Sequence, residues 1–281
     1  MSKAKKMQIK HTTALVLGAA KGIGKAIAAA LARQGARVVV TYYDWPEASD
    51  LMKHEFTEAG FDFLPIRADL RDPDQVASIF DKIRSHYGGL DILINNIERG
   101  GMPVVHGEYI HEQWDLEMET TLKAKWWMVK HAMPLLKQAP EGALITISSI
   151  AAIVGRSGPA GLIFNDGYAA ANRAVSSFTE TWAREGAPTV RVNELMLGFF
   201  ETRHAEKTRG WGLLTDEQRR QITETTLMRR TGRIEEIVAA ILFLISDATY
   251  ITGAVLRMDG GYVLGHASLP PIPPGVLNES R

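Results

Sequence analysis

The sequence contains no cysteine, which excludes disulfide cross-links and thiolate metal sites and leaves the chain compatible with a reducing compartment. It also lacks an excess of either charge. Lysine and arginine together number 32, and so do aspartate and glutamate. No long block of one sign occurs, so the electrostatic footprint of a nucleic-acid or membrane-surface protein is missing. No stretch approaches about eighteen consecutive apolar residues, and no transmembrane helix is expected. The opening Met1-Ser2-Lys3-Ala4-Lys5-Lys6 is basic but is not followed by the apolar stretch of a signal peptide, so a cytoplasmic location is expected. Internal repeats are absent. The partner expected of such a chain is a small molecule.

What is present is an ordinary globular composition: 281 residues, 46% hydrophobic and 23% charged, enough for one large α/β domain with a full core. Short apolar runs rich in Val, Ile and Leu alternate with longer amphipathic stretches. The runs are Ala14 to Leu17, Arg37 to Val40, Phe63 to Ile66, Leu90 to Ile94, Ala143 to Ile147, Val190 to Leu195 and Ala254 to Met258. Continuous apolar runs of this kind are strands buried on both faces and joined by crossover helices. After the first run, Ile23, Ile27, Ala30 and Leu31 follow helical spacing. The expected fold is therefore a single α/β domain, a doubly wound parallel sheet of about seven strands with helices on both faces. Residues 1–11 read as a basic arm, 12–263 as the domain, and 264–281 as a Pro-rich tail. The polar insertion at about 199–230, with Phe199, Phe200, Trp211, Leu213 and Leu214 as apolar islands, reads as a substrate lid for a ligand with hydrophobic bulk.

Gly18-Ala19-Ala20-Lys21-Gly22-Ile23-Gly24 falls between the first strand and the first helix. Glycines there let the backbone approach a pyrophosphate, and the helix N-terminus favours its charge. On this loop and the further motifs that follow it, across about residues 12 to 263, the chain resembles the short-chain dehydrogenase/reductase family. The form is the three-glycine, Rossmann-type one, similar to 3-oxoacyl reductases. The resemblance makes Gly18, Ala20, Lys21, Gly22, Ile23 and Gly24 the cofactor loop and Asp69-Leu70 the adenine contact. Asn96 of Asn95-Asn96 matches the element after the fourth strand, and Ser149 and Tyr168 match the catalytic serine and tyrosine. Gly198 and Thr202 match the stretch that holds the nicotinamide carboxamide, and Ile251-Thr252-Gly253 with Asp259-Gly260-Gly261 matches the C-terminal signature. It implies a nicotinamide-dependent oxidoreductase assembled as a dimer or tetramer.

Cofactor choice rests on the end of the second strand, where an acid would bind the ribose 2′-hydroxyl of NAD and repel the 2′-phosphate of NADP. That position is Tyr42. Lys21 resembles a family position whose basic residue meets the phosphate, whereas Asp44, two residues beyond Tyr42, argues the other way. NADP(H) is expected over NAD(H).

The departures from the family cluster at the nicotinamide end. The family's tyrosine is followed four residues later by a lysine that binds the ribose and lowers the tyrosine pKa; here Tyr168-Ala169-Ala170-Ala171-Asn172 puts Asn172 there. The asparagine that anchors a relay water is Thr121, seven residues after Trp114. Ile97-Glu98 replaces Ala-Gly, Leu197 replaces the proline before Gly198, and Gly161 to Asp166 lengthens the span from Ser149 to Tyr168.

An ordinary tyrosine, with a pKa of about 10, is protonated at neutral pH. It serves as the acid of carbonyl reduction better than as the base of alcohol oxidation. Lys125 shares a helix face with Thr121 and is expected either to supply part of the lost charge or to line a solvated or subunit-contact face. Arg173 neighbours Asn172 but points about 100° round the helix. Glu98 is either a carboxylate at the nicotinamide or a solvent-facing one. Trp126 and Trp127 read as core or subunit contacts. His106, His111, His131 and His204 lack the spacing of a zinc helix, and no metal site is expected.

The leading expectation is an NAD(P)H-dependent reductase of a ketone or related carbonyl, with Tyr168 as proton donor, Ser149 orienting the oxygen and Asn172 on the nicotinamide ribose. The alternatives are a non-redox dehydratase or epimerase using Tyr168 and Glu98, and a catalytically impaired NADP(H)-binding module.

Overall fold

A computed structural model describes residues 6–97, 111–200, 202, 211 and 214–265. Seven strands appear, each within two residues of the expected run: β1 (Thr13–Val16), β2 (Arg37–Tyr42), β3 (Phe63–Arg67), β4 (Ile92–Asn95), β5 (Gly142–Ser149), β6 (Val190–Leu197) and β7 (Val255–Met258). They form one parallel sheet in the order β3-β2-β1-β4-β5-β6-β7. Strands β1, β4 and β5 are buried along their whole length, which is why they read as unbroken apolar runs rather than alternating ones. The order reverses between β1 and β4, and the crevice at the carboxyl ends of these strands is where such sheets bind ligands.

The helices are α1 (Gly22–Arg33), α2 (Pro46–Glu58), α3 (Pro73–Tyr87), α4 (His111–Glu117), α5 (Ala124–Leu136), α6 (Ala151–Val154), α7 (Asp166–Gly186), α8 (Asp216–Thr225) and α9 (Ile234–Ser246). One core cluster joins Ile27 and Leu31 of α1, Phe56 of α2 and Ile241 of α9 to one sheet face. The other joins Phe80 of α3, Met128 and Val129 of α5 and Trp182 of α7 to the opposite face. Between α4 and α5 the chain makes a π-helical turn, Met118–Lys123, which contains Thr121. Such turns recur at functional sites because they shift side chains out of helical register.

Two expectations are refined. Residues 6–11 are no loose arm: Met7 and Ile9 are buried in the core, and Met7 N donates to Ser246 O at 3.2 Å. Their apolar spacing outweighs the lysines around them. Within the span 199–230, α8 forms, and Phe199, Trp211, Leu214 and Ile222 pack with Tyr168 as a third cluster. Leu213 and the tail beyond Gly265 lie outside the described residues. No described helix is long and apolar enough to cross a membrane.

At the start of α9, Glu236 accepts from Arg233 N at 2.8 Å and is forked by Arg230 at 2.6 and 3.0 Å. The Arg230 guanidinium holds its pKa down to about 2 from the ordinary 4.5. A depressed folded pKa stabilises fully above the ordinary value and loses its effect as pH falls towards the folded one. Glu236→Gln is therefore expected to cost up to about 1 kcal/mol near neutral pH, after solvent screening, and almost nothing near pH 2. Denaturant titrations at the two pH values check this, and an equal loss at both would remove the ionised carboxylate as the cause.

Candidate active site

The expected cofactor end begins at the turn between β1 and α1. Gly18 has φ +63°, and a Cβ there would lie 2.9 Å from Asn96 O; a Cβ at Gly24 would lie 2.4 Å from Gly18 O. The loop is folded so tightly on itself that only glycine fits. Asn96 Nδ2 donates to Leu17 O at 3.1 Å, and Gly18 N and Ala19 N donate to Thr41 Oγ1 and Thr41 O at 3.3 and 2.9 Å. Lys21, the N-cap of α1, makes no side-chain cap, and the first turn carries no acid. The amide groups at that end therefore suit an anion, and the residues present fit a pyrophosphate. Ala20 is buried and Ile23 packs half-buried against the core. Leu70 is buried in the second core cluster, so its side chain supports the site from beneath.

At the ends of β2 and β3 the structure gathers cations on aromatic rings. Lys21 Nζ sits 3.1 Å from the centroid of Trp45, whose backbone is left-handed at φ 68°. The Arg67 and Arg71 guanidiniums lie 5.5 and 5.9 Å from the Tyr43 ring, and Lys53 Nζ lies 4.8 Å from Tyr42. Arg71 grips both oxygens of Asp69, with Nε at 2.9 and 3.1 Å and Nη2 at 2.5 Å. This holds the Asp69 carboxyl below the usual carboxylate range. Asp44 is exposed.

The expected nicotinamide end is built on the last residues of β5 and the first turns of α7. Ser149 and Tyr168 are both buried, and Asn172, fully buried, straps them together. Ser149 N donates to Asn172 Oδ1 at 3.1 Å, and Asn172 Nδ2 donates to Tyr168 O at 3.0 Å. Through these two bonds the Asn172 amide ties the end of β5 to the first turn of α7. Asn165, the N-cap of α7, accepts from Tyr168 N at 2.7 Å and its Nδ2 lies 3.4 Å from Glu117 Oε1. Glu117 Oε2 accepts from Thr121 Oγ1 at 3.2 Å. Thr121 is fully buried. The relay position is therefore tied through Glu117 and Asn165 to the tyrosine backbone. Above Tyr168, Phe164 stacks on Phe199 at 5.4 Å and Tyr262 meets Phe199 edge-on at 5.0 Å. Burial pushes the Tyr262 hydroxyl up to about 12.

Lys125 is fully buried, with Nζ donating to Ile147 O at 2.6 Å. This overturns the reading that it lines a solvated or subunit-contact face: it points from α5 into the sheet. On β6, buried Glu194 accepts from Ser148 Oγ, from Ser176 Oγ at 3.1 Å and from Thr179 Oγ1 at 3.4 Å. Burial raises its pKa, while those hydroxyls and the Lys125 charge oppose the rise.

Gly198 is pinned against β7, where a Cβ would lie 2.7 Å from Asp259 Cα; Thr202 N donates to Phe200 O at 2.6 Å. Glu98, His106 and His204 lie outside the described residues. His131 stacks on Phe80 at 5.7 Å, and no cluster of three metal-ligating side chains occurs among the described residues. Trp127 packs against the core, whereas Trp126 stays 37% exposed. The sequence reading passed over Glu117, Asn165, Glu194 and Trp45. Asn165 had a signal, an N-capping residue type just before a helical pattern; a lone glutamate in an amphipathic stretch carries none.

The family described as enoyl-(acyl carrier protein) reductase matches residues 18–263. The 3-oxoacyl-(acyl-carrier-protein) reductase of Thermotoga maritima is 32% identical over 262 residues, covering 92% of this chain and all of that protein. The protein of the same name from Escherichia coli K12 is 34% identical over 259 residues, covering 91% and 98%. Among solved structures, a double variant of a short-chain dehydrogenase/reductase from Serratia marcescens superposes with a TM-score of 0.78 at 27% identity, covering 92% of this chain and 100% of that one.

Gly24→Ala is expected to weaken NADPH and NADH binding at least tenfold, about 1.4 kcal/mol or more, because its Cβ has no room against Gly18 O. Nicotinamide fluorescence titration of the folded variant checks this. Unchanged affinity would detach the loop from the cofactor.

Proposed function

The chain belongs to the short-chain dehydrogenase/reductase family, and from that premise we propose that it is an NADPH-dependent reductase of a ketone or related carbonyl flanked by apolar groups. The observation that carries this reading is the Asn172 strap, which holds Ser149 and Tyr168 as one buried unit beneath Phe164, Phe199 and Trp211. A bound reduced nicotinamide cofactor supplies the hydride. Tyr168 Oη gives its proton to the carbonyl oxygen, and Ser149 Oγ donates a hydrogen bond to the same oxygen as charge develops there. The apolar roof keeps water away and strengthens both interactions. A tyrosine protonated at neutral pH favours reduction over oxidation.

The ketone fits the 3-oxoacyl group in the names of the two curated relatives. For the cofactor, Lys21 and Arg67 supply the cations of this corner, while Arg71 is spent on neutralising Asp69. A 2′-phosphate suits such a corner, since arginine pairs with phosphate in a planar fork. Assembly into a dimer or tetramer belongs to the same proposal, and exposed Trp114 and Trp126 on the α4–α5 face fit it.

NADPH is expected to bind at least tenfold more tightly than NADH, and Lys21→Ala to narrow that gap; equal affinities, or a preference for NADH, would overturn the assignment. With a panel of 3-oxoacyl thioesters and aryl ketones, Tyr168→Phe is expected to lower kcat/KM on the order of 10² to 10⁴-fold at unchanged NADPH affinity. Intact reduction in that variant would remove Tyr168 from the chemistry, and turnover without a change in nicotinamide absorbance would favour elimination or epimerisation instead.

A further inference from the structure

Strand β4 ends at Asn95, paired with Thr146, but β5 runs on to Ser149. Odd-numbered residues of β5 turn their backbone groups towards β4, as the Ala143 N–Asp91 O bond shows, and even-numbered ones towards β6, as Ile150 N–Leu197 O shows. Beyond Asn95 the chain folds back, with Asn96 N donating to Ile94 O. Ile147 O and Ser149 N are therefore consecutive ladder groups on an edge that no strand among the described residues pairs with. Two side chains from different helices take the strand's place: Lys125 Nζ on Ile147 O and Asn172 Oδ1 on Ser149 N. Two residues of strand span about 7 Å, so the ammonium lies within one ladder step of the amide that straps the serine to the tyrosine.

We infer that Lys125 is the positioning cation of this site, holding a positive charge below the Ser149–Tyr168 pair from α5 instead of from α7. The inference rests on the reductase reading for the chemistry. Relative to the family pattern, amide and cation have changed helices: the amide is at position 172 and the lysine one turn after position 121. A fully buried lysine is rare, because an ammonium out of water is costly unless paired. Its field favours the ionised tyrosine and the negative charge that grows on the substrate oxygen.

Other groups shape the same field. Glu117 reaches in from α4 and Glu194 from β6; with Lys125 and Asp259 they are the charged side chains buried among the described residues. Asp166 of α7 is exposed and paired with Arg156, and Tyr262 packs beside Phe199. Burial raises the Glu194 pKa while the Lys125 charge opposes that rise, so the two buried groups bear on each other.

The test is the ionisation of Tyr168, read as tyrosinate absorbance of each protein minus that of its Tyr168→Phe counterpart, which removes Tyr262 and the remaining tyrosines. Four proteins are compared: wild type, Lys125→Met, the charge-balanced Lys125→Met/Glu194→Gln, and the exchange variant Lys125→Met/Asn172→Lys. In the first two variants the Tyr168 midpoint is expected to rise by about one unit or more. In the exchange variant it returns to the wild-type value, and the acidic shift reappears in the pH profile of kcat/KM. An unmoved midpoint in whichever of Lys125→Met and the charge-balanced variant folds would overturn the inference. So would an exchange variant that folds without restoring the midpoint, which decides the matter even if both of the others fail to fold. The titration needs no substrate, so a moved midpoint in a protein that reduces no carbonyl supports the inference while sinking the reductase reading.

Discussion

The site depends on a mismatch in strand length. Because β4 stops opposite Thr146 while β5 continues to Ser149, a stretch of buried backbone has donors and acceptors but no neighbouring strand among the described residues. Each such group left unpaired costs about 1–3 kcal/mol, so the fold has to bring polar side chains to that edge. Asn172 and Lys125 do so. The same requirement that completes the sheet therefore delivers an amide and an ammonium to the place where Ser149 and Tyr168 are held together.

Around that edge the interior is polar to an unusual degree. Glu117, Thr121 and Asn165 are linked on one side, and Glu194 with Ser148, Ser176 and Thr179 on the other. Networks of this kind are costly when partly satisfied and rigid when complete. A rigid shell suits an oxidoreductase whose reacting groups must be placed to a fraction of an ångström. The π turn at Met118–Lys123 belongs to the same device, for it lies between Glu117 and Lys125 and carries Thr121.

The two ends of the cleft use different physics. The loop at Gly18 and Gly24 relies on close backbone approach and on helix amides, which ask for glycine and little else. The corner at Trp45 and Tyr43 relies on cations lying over aromatic faces, an interaction worth about 0.5–2 kcal/mol each, with Arg71 absorbing the charge of Asp69. The backbone end tolerates no substitution at its glycines, whereas the cationic corner is tunable by single side chains.

The sheet, its strand positions and its glycine loop were legible in the sequence because buried parallel strands leave continuous apolar runs and a tight strand-to-helix turn needs glycine. Ser149 and Tyr168 were legible by resemblance, and the oddity at Asn172 by its spacing. The Ser149 partner of Asn172, the burial of Lys125, the tie from Glu117 to Asn165 and the role of Glu194 were not, since each depends on a contact between residues 15 to 48 positions apart. By itself the sequence determined the elements, their order and the tight glycine loop after β1, all set by local periodicity and backbone sterics. Only the tertiary structure decided which side chains complete the open edge of β5, because that depends on where β4 ends and which helices cross beneath it.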